Sequence, residues 1–491
     1  MIKIISSEKT EKIHNKDYLK VSELIRKTGF SMPCAGKGTC LKCKVILNGE
    51  ISGLSEKEKS ALSHEEIDKG VRLACFSEIK SGEIILTNEF ITNTASIKMA
   101  DANLGTEDKY IIAIDLGTTV VTGCLYNALK KEVVKEISRI NKLSSFGADI
   151  MSRIEYSMKN TVKEMTEIIT EQIEEITDFL FKEDADIVIT GNTAMLNILA
   201  GEDVSSMGIY PYTPPSIFGK TITIKNREVY ILKCISAFAG ADLLCGIIAS
   251  GMNKDKKALF IDIGTNGEIA LKYNNEKICT SSPAGPAFEG AGLTMGMPAK
   301  EGAVSKVFAQ GINLRYKTVG NKKAQGICGS GIIDFIAELK RYNAIDSFGN
   351  IKKEGHPFCH LIKSEDNETR IYLSDCEVYI TDKDIRNIQL AKSAISSAVN
   401  TLLYNKELKE INTVYIAGNF GNFINIKNAC FLNLIPKELE DKVKLIGNAA
   451  LKGAIITVLN KESEKEAENY IYKDLSKSEY FNNEFIKNTG I

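Results

Sequence analysis

At 491 residues the chain exceeds the length at which one hydrophobic core keeps growing, so about two to four domains are expected. Basic and acidic residues nearly cancel, 62 against 63, for a formal net charge of -1, which excludes the electrostatic footprint of a nucleic-acid or anionic-membrane binder. No run of 18 apolar residues occurs, and Met1-Ile-Lys-Ile-Ile-Ser-Ser7 reads as a strand rather than a signal-peptide core, so a soluble, cytoplasmic protein with neither membrane nor nucleic acid as partner is expected.

In chain order, the pattern predicts a strand near residues 2–6, a second after His14 and an amphipathic helix near 20–28, followed by a loop rich in cysteine. Lys44-Val-Ile-Leu47 then runs into the turn signal Asn48-Gly49, and Glu83-Ile-Ile-Leu86 makes a last strand, a pattern suited to a small β-grasp module over residues 1–90. Residues 91–108 are polar and weakly periodic and read as a linker. From Tyr110 onward, apolar strands end in Gly-rich turns and alternate with helical stretches, the signature of layered α/β folds. Four strands lead the pattern: Tyr110–Thr119, Ile187–Thr193, Ala258–Gly267 and Val414–Gly421. The first and third repeat one design, suggesting two copies of an α/β unit facing across a cleft, with a middle domain over 109–204 and a C-terminal domain over 205–491.

Twelve cysteines in a large cytosolic chain point away from a disulfide framework. Eight are scattered (Cys124, Cys234, Cys245, Cys279, Cys328, Cys359, Cys376, Cys430), form no C-x-x-C pair and read as small buried apolar residues. The other four, Cys34, Cys40, Cys43 and Cys75, follow C-x5-C-x2-C with a distant fourth ligand, close to the plant-type spacing of a [2Fe–2S] ferredoxin. Ala35, Gly36, Lys37, Gly38 and Thr39 are mostly small and let backbone N–H groups approach cluster sulfurs. Structural zinc is the alternative, but zinc sites favour two C-x2–4-C knuckles and Cys75 stands alone.

Asp115-Leu-Gly-Thr-Thr119 and Asp262-Ile-Gly-Thr-Asn-Gly267 each place a carboxylate at a strand end, before a glycine hairpin able to wrap phosphate oxygens. The candidates are Asp115, Gly117, Thr118 and Thr119 in one and Asp262, Gly264, Thr265, Asn266 and Gly267 in the other, with the aspartates suited to water-mediated Mg²⁺. Gly418 and Asn419 suit backbone approach to an adenosine, or an ordinary turn; Gly326-Ile-Cys-Gly-Ser-Gly331, containing Gly329, lacks the lysine of a P-loop.

Together these pieces resemble the acetate-kinase, sugar-kinase and actin superfamily, which implies two ribonuclease-H-like lobes closing on ATP. The resemblance makes Asp242, in Ile235-Ser-Ala-Phe-Ala-Gly-Ala-Asp242, the candidate acid that orients water, with a helix N-cap as the other reading. Glu289, in Pro283-Ala-Gly-Pro-Ala-Phe-Glu289, either faces the γ-phosphate or caps a turn.

The whole chain resembles the reductive activators of corrinoid-dependent enzymes. This rests on Cys34–Cys43, both aspartate hairpins, Phe146-Gly-Ala-Asp-Ile-Met-Ser-Arg-Ile154, Gly191-Asn-Thr-Ala-Met195, Gly240-Ala-Asp242, Pro283–Glu289, Gly326–Gly331, Gln389-Leu-Ala-Lys392 and Ala417-Gly-Asn-Phe-Gly421. It implies an N-terminal ferredoxin domain, a [2Fe–2S] cluster, ATP and Mg²⁺ as cofactors, and nucleotide contacts extending to Gly329, Gln389 and Lys392. It also implies reduction of a Co(II) corrinoid to Co(I) on a corrinoid protein or methyltransferase, a low-potential electron donor and possible homodimerisation. Ala35 and Leu41 depart from the family's usual glycines, and the cysteine-free C-terminus resembles the single-cluster type. None of the four histidines stands in a D-x-H-x-x-G context, so the cobalt is expected on a partner. The alternatives are a ferredoxin-fused small-molecule kinase, an ATP-sensing redox adaptor and an activator of a radical dehydratase.

Overall fold

The computed structural model describes residues 1–6, 10–86, 109–365, 368–418, 424–467 and 469–490; the expected linker at 91–108 lies outside them. The described chain divides into two units, one ending at Leu232 and the other beginning at Lys233. No helix among the described residues is long and apolar enough to cross a membrane.

The first unit opens with strands β1 (Ile2–Ile5), β2 (Thr10–Ile13), β3 (Leu19–Lys20), β4 (Lys44–Ile51), β5 (Val71–Leu73) and β6 (Glu78–Leu86). They form one sheet in the order β2-β1-β6-β4-β5, with β3 also on β6. Only the pairing of β1 with β6 is parallel. Ile2, Ile4, Val45, Leu47, Leu73, Ile79 and Ile84 pack with Val21 and Ile25 beneath the sheet. The short helices are α1 (Val21–Leu24), α2 (Glu56–Ala61) and α3 (His64–Asp68); α2 and α3 each start at a serine capping box, Ser55 with Glu58 and Ser63 with Glu66.

Three expectations need correction. The second strand precedes His14, because the polar Thr10–Ile13 hairpins back onto β1 as an edge. The expected helix over 20–28 breaks after α1 into a 3-10 turn, Arg26–Thr28, ended by Gly29 at φ +77°. Asn48-Gly49 does not turn but continues β4, since Gly49 pairs with Gly82 and a Cβ on Gly49 would lie 2.3 Å from the Ser81 carbonyl oxygen. That glycine pair serves close strand approach, not chain reversal.

Behind β5 lies a buried ion pair. Arg72 donates to Glu58 through Nε at 2.8 Å and Nη2 at 3.0 Å, and to the carbonyls of Ser52 and Gly53. Burial alone would raise the Glu58 carboxyl, yet Arg72 and the N–H groups of Ser55 and Leu73 hold it at about 2, below its ordinary 4.5.

The first unit continues with β7 (Tyr110–Leu116), β8 (Val120–Asn127), β9 (Glu132–Ile140), β10 (Asp186–Gly191), β11 (Lys220–Ile224) and β12 (Arg227–Ile231), ordered β11-β12-β10-β7-β8-β9. The connecting helices are α4 (Ile150–Lys159), α5 (Lys163–Leu180) and α6 (Thr193–Leu199). On α5, Met165, Ile168, Ile169, Ile173, Ile176 and Leu180 recur at helical spacing and are buried, with Ile176 and Leu180 lying over Gly123 of β8. Because β11 and β12 pair into this sheet, the sheet reaches past residue 204 to Ile231.

The second unit carries β13 (Lys257–Ile263), β14 (Gly267–Tyr273) and β15 (Glu276–Ser282). Two three-stranded sheets follow: β16 (Ala303–Gln310), β17 (Asn313–Thr318) and β18 (Gly326–Ile327), then β19 (Ile362–Glu365), β20 (Glu368–Tyr372) and β21 (Tyr379–Thr381). With β22 (Thr413–Ala417), β23 (Val443–Gly447) and β24 (Ile471–Tyr472), the main sheet runs β23-β22-β13-β14-β15-β24. It repeats the first unit's pattern: an antiparallel meander whose first strand pairs in parallel with a later strand, which in turn pairs in parallel with a further one.

Its helices are α7 (Ala241–Ser250), α8 (Gly329–Arg341), α9 (Asp382–Leu402), α10 (Ile426–Phe431), α11 (Ala449–Leu459), α12 (Glu462–Ala467) and α13 (Glu479–Asn488). Ala258 and Phe260 of β13 join the core with Leu243, Leu244 and Ile247 of α7. Leu259, Ile261 and Ile263 join the core with residues of α8 and α9. Burial on both faces explains why β13 reads as a continuous apolar run.

Arg72→Met strands the Glu58 carboxylate and costs roughly 3–5 kcal/mol. Amide exchange at Leu73 and along β6 is expected to accelerate about 100-fold or more. Because Glu58 sits below its ordinary value, the stabilisation is complete above pH ~4.5 and fades as pH falls through about 2.

Candidate functional site

The cysteine loop is held in a backbone shape that L side chains rarely adopt. Ala35, Gly36, Gly38 and Leu41 have φ of 52°, 80°, 74° and 56°. For Ala35 and Leu41, which have side chains, such a conformation costs roughly 1–3 kcal/mol each. The loop is pinned by Ala35 N donating to Met32 O at 2.7 Å and Lys37 N to Cys34 O at 3.0 Å. Ala74 N donates to Cys43 O at 2.9 Å, which sets Cys75 beside Cys43.

The four sulfurs stand as two pairs. Cys40 and Cys34 Sγ are 3.3 Å apart, and Cys43 and Cys75 Sγ are 3.2 Å apart. Burial pushes the Cys34 thiol up, but hydrogen bonds from Cys40 and Thr39 outweigh it and bring it to about 6. The Cys75 hydrogen bond brings Cys43 to about 7. Burial pushes Cys40 up, while hydrogen bonding to Cys43 and then burial push Cys75 up. Among the described residues no three or more His, Cys, Asp or Glu side chains converge as ligands of a single ion. Two pairs, rather than one set of four, fit a two-iron cluster, in which each iron takes two protein ligands.

The first aspartate hairpin joins β7 to β8. Its three carbonyls are all tied down: Gly117 O accepts from Asn141 Nδ2 at 2.7 Å, Thr119 O from Asn141 N at 2.9 Å, and Thr118 O from Arg153 Nη2 at 2.7 Å. Asn192 Nδ2 donates to Thr118 Oγ1 at 3.0 Å while its Oδ1 caps α6. Arg153 is 1% exposed, meets the carbonyl of Gly147 and the sulfur of Met195 as well, and is lowered by burial to about 9. Asp115 is half-buried at the strand end.

The second hairpin joins β13 to β14, closed by Gly264 N donating to Asn266 O at 3.1 Å. Glu289 grips its tip: Thr265 N donates to Oε1 at 3.2 Å and Thr265 Oγ1 to Oε2 at 2.9 Å. Asp242 lies in the first turn of α7, where Leu243 N donates to its Oδ1 at 2.9 Å; Gly240 is the N-cap. Gly418, at φ +90°, lies against Asp262, and a Cβ there would stand 2.7 Å from Asp262 Oδ1. Burial, then the charges of Asp242 and Glu289, push the Asp262 carboxyl up to about 7, and burial pushes Asp242 up to about 6. Three carboxyls crowded on a glycine hairpin suit a hydrated divalent cation with its phosphates.

The structure therefore brings Asp242, Asp262, Gly264, Thr265, Glu289 and Gly418 together. Asn266 and Gly267 complete the hairpin, with Ile395 of α9 packed behind Gly267. Gly329 begins α8. Gln389 and Lys392 have partners of their own, the carbonyls of Phe348 and Gly490, and burial and then Lys340 lower Lys392 to about 8. Asn419 lies outside the described residues. Six of the eight scattered cysteines are buried as expected, whereas Cys359 and Cys376 are half-exposed. The strings quoted from the sequence include Arg153 and Asn192 without a role for either, and Asn141 was missed. Asn141 left one faint signal, an asparagine opening a helical turn, and Leu143 N does donate to its Oδ1 at 2.9 Å.

Two family models match the chain, "RACo middle region" over residues 110–255 and "C-terminal domain of RACo the ASKHA domain" over 256–491. Among curated proteins it is similar to the corrinoid activation enzyme RamQ of Eubacterium limosum, 34% identical over 387 residues, covering 72% of this chain and 65% of that protein. It is also similar to the [Co(II) methylated amine-specific corrinoid protein] reductase of Methanosarcina barkeri, 25% identical over 403 residues, covering 72% and 70%. The chain thus spans slightly less than two thirds of the first relative's length. Among solved structures it resembles a reductive activator for corrinoid,iron-sulfur protein, with a TM-score of 0.72 and 26% identity, covering 100% of this chain and 98% of that one.

The raised Asp262 carboxyl makes a testable demand. In nucleotide-free protein, Asp262→Asn is expected to raise Tm by roughly 3–10 °C at pH 8, since it removes a crowded buried charge. The gain should shrink as pH falls from about 7 toward 4, where the wild-type carboxyl takes up its proton in the folded state. An equal gain at pH 8 and pH 5 in a thermal melt would contradict the crowding.

Proposed function

The chain belongs to the RACo family, the reductive activators of corrinoid-dependent enzymes, and from that premise we propose that it is an ATP-dependent activator returning a partner's Co(II) corrinoid to Co(I). In this reading residues 1–90 form a [2Fe–2S] ferredoxin domain and 91–108 a linker; the first lobe, expected over 109–204, runs on to Ile231 because β11 and β12 complete its sheet, and the ATPase domain takes up the remainder. The paired Cys34 and Cys40, and the paired Cys43 and Cys75, would hold the cluster. The observation that carries the reading is the division of four thiols into two close pairs, within the same unit as an aspartate-glycine hairpin.

When bound, the cluster supplies a single low-potential electron, near −400 mV for the plant type. Every ~60 mV of one-electron mismatch costs a factor of ten in equilibrium. Delivery to a more negative cobalt centre therefore needs a further driving force, and differential nucleotide affinity for two states of the complex supplies one. The chain's own residues divide that work. Asp262 holds a hydrated Mg²⁺, the N–H groups and hydroxyl of Gly264–Gly267 wrap phosphate, and Glu289 fixes Thr265. Gly418 admits adenosine where a side chain would strike Asp262. Asp242, raised to about 6, orients water and accepts its proton near neutral pH. The Asp115–Thr119 hairpin grips phosphate in the same manner. A low-potential donor and a corrinoid protein or methyltransferase are the proposed partners.

Mixing the reduced protein, ATP and a Co(II) corrinoid protein from the same cell tests the proposal through the Co(I) absorbance. ATP-dependent Co(I) is expected; none with any candidate corrinoid protein would sink it. Cys40→Ser is expected to abolish the signal while nucleotide still binds. Asp262→Ala is expected to keep the visible spectrum and lose ATP hydrolysis by at least about 100-fold, as befits a metal-holding carboxylate.

A further inference from the structure

The segment that satisfies the first hairpin also holds the cysteine loop. On one side, Asn141 and Arg153 donate to all three carbonyls of Gly117–Thr119, and Arg153 also reaches Gly147 O at 3.2 and 3.3 Å. On the other side, Met32 N donates to Ser144 O at 3.2 Å, Ala148 N to Pro33 O at 3.2 Å, and Ser144 Oγ to Gly29 O at 3.4 Å. Pro33 immediately precedes Cys34. Helix α4 spans both sides as well, since Arg153 faces the hairpin while Glu155 meets Lys37 of the cysteine loop at 2.6 Å. Its Tyr156 and the neighbouring Phe146 stack edge to face at 4.8 Å, and the Arg26 guanidinium lies 5.5 and 5.4 Å from their ring centres. Arg26 also approaches Glu164 at 4.0 Å.

We propose that residues 141–156 form a relay through which phosphate at the Gly117–Thr119 hairpin tightens the backbone around Cys34, with Asn141 and Arg153 as positioning residues on the hairpin side and Arg26 on the cysteine side. The inference rests on the functional reading above and adds a route to it. Buried backbone carbonyls must keep their donors. A hairpin that shifts to wrap phosphate therefore carries Asn141 and Arg153 with it. The same rigid segment presents Ser144 and Ala148 to residues 29–33, so both ends move as one element.

Backbone hydrogen exchange of the full-length, iron-loaded protein tests this, with and without saturating Mg²⁺ and a non-hydrolysable ATP analogue, and with nucleotide occupancy checked by equilibrium dialysis. In the wild type the analogue is expected to slow exchange in residues 29–36 by about fivefold or more, the lower end of ordinary coupling between sites. Arg26→Met lies away from the hairpin and is expected to keep nucleotide binding and the visible spectrum but lose most of that slowing. Asn141→Ala is expected to lose it too; should that variant unfold, shown by faster exchange throughout, Arg26→Met decides alone. Nucleotide bound without any slowing at 29–36, or full slowing in folded Arg26→Met, would overturn the relay and leave the functional reading standing. Failure of the wild type to bind the nucleotide would overturn both.

Discussion

Two thiols 3.3 Å apart repel once both ionise, and the N-terminal sheet is built to hold two such pairs regardless. The loop bearing Cys34, Cys40 and Cys43 accepts left-handed backbone at Ala35 and Leu41. The strand leading to Cys75 is braced from behind by Glu58 and Arg72, whose charges are shielded from water and so interact strongly. Strain on one side and a rigid brace on the other hold the four thiols in shape by themselves, and metal–thiolate bonds, if formed there, would offset the strain.

The same economy appears at the second hairpin. Asp242, Asp262 and Glu289 crowd one another, which lowers stability near neutral pH, and a cation with its phosphates would relieve it. Gly418 belongs to that arrangement, because only a residue without Cβ leaves room beside Asp262. The site thus trades stability for an attraction toward a charged ligand, a common feature of functional sites.

Much of this was legible in the sequence because the signals were local. The strands at Tyr110, Asp186, Lys257 and Thr413 announce themselves as apolar runs ending in glycine, and their sheets have the repeated pattern those runs suggested. The cysteine spacing likewise singled out four thiols, which the fold brings into two close pairs. What escaped depends on contacts distant in sequence. Asn48-Gly49 looks like a turn until Gly82 is seen opposite it. Residues 220–231 make two short strands whose place is set by distant pairing, β12 on β10 and β11 outside β12. Asn141 and Arg153 matter through carbonyls 24 and 35 positions away, which no periodicity encodes.

The central claim, that the two thiol pairs are the paired ligands of one binuclear cluster, is tested most directly by counting metal and sulfide on anaerobically purified protein and recording its electron paramagnetic resonance after reduction. The account predicts about two iron and two acid-labile sulfide per chain, a spectrum integrating to about one electron spin, and loss of all three in Cys34→Ser. One zinc without sulfide, or four iron per chain, would contradict it.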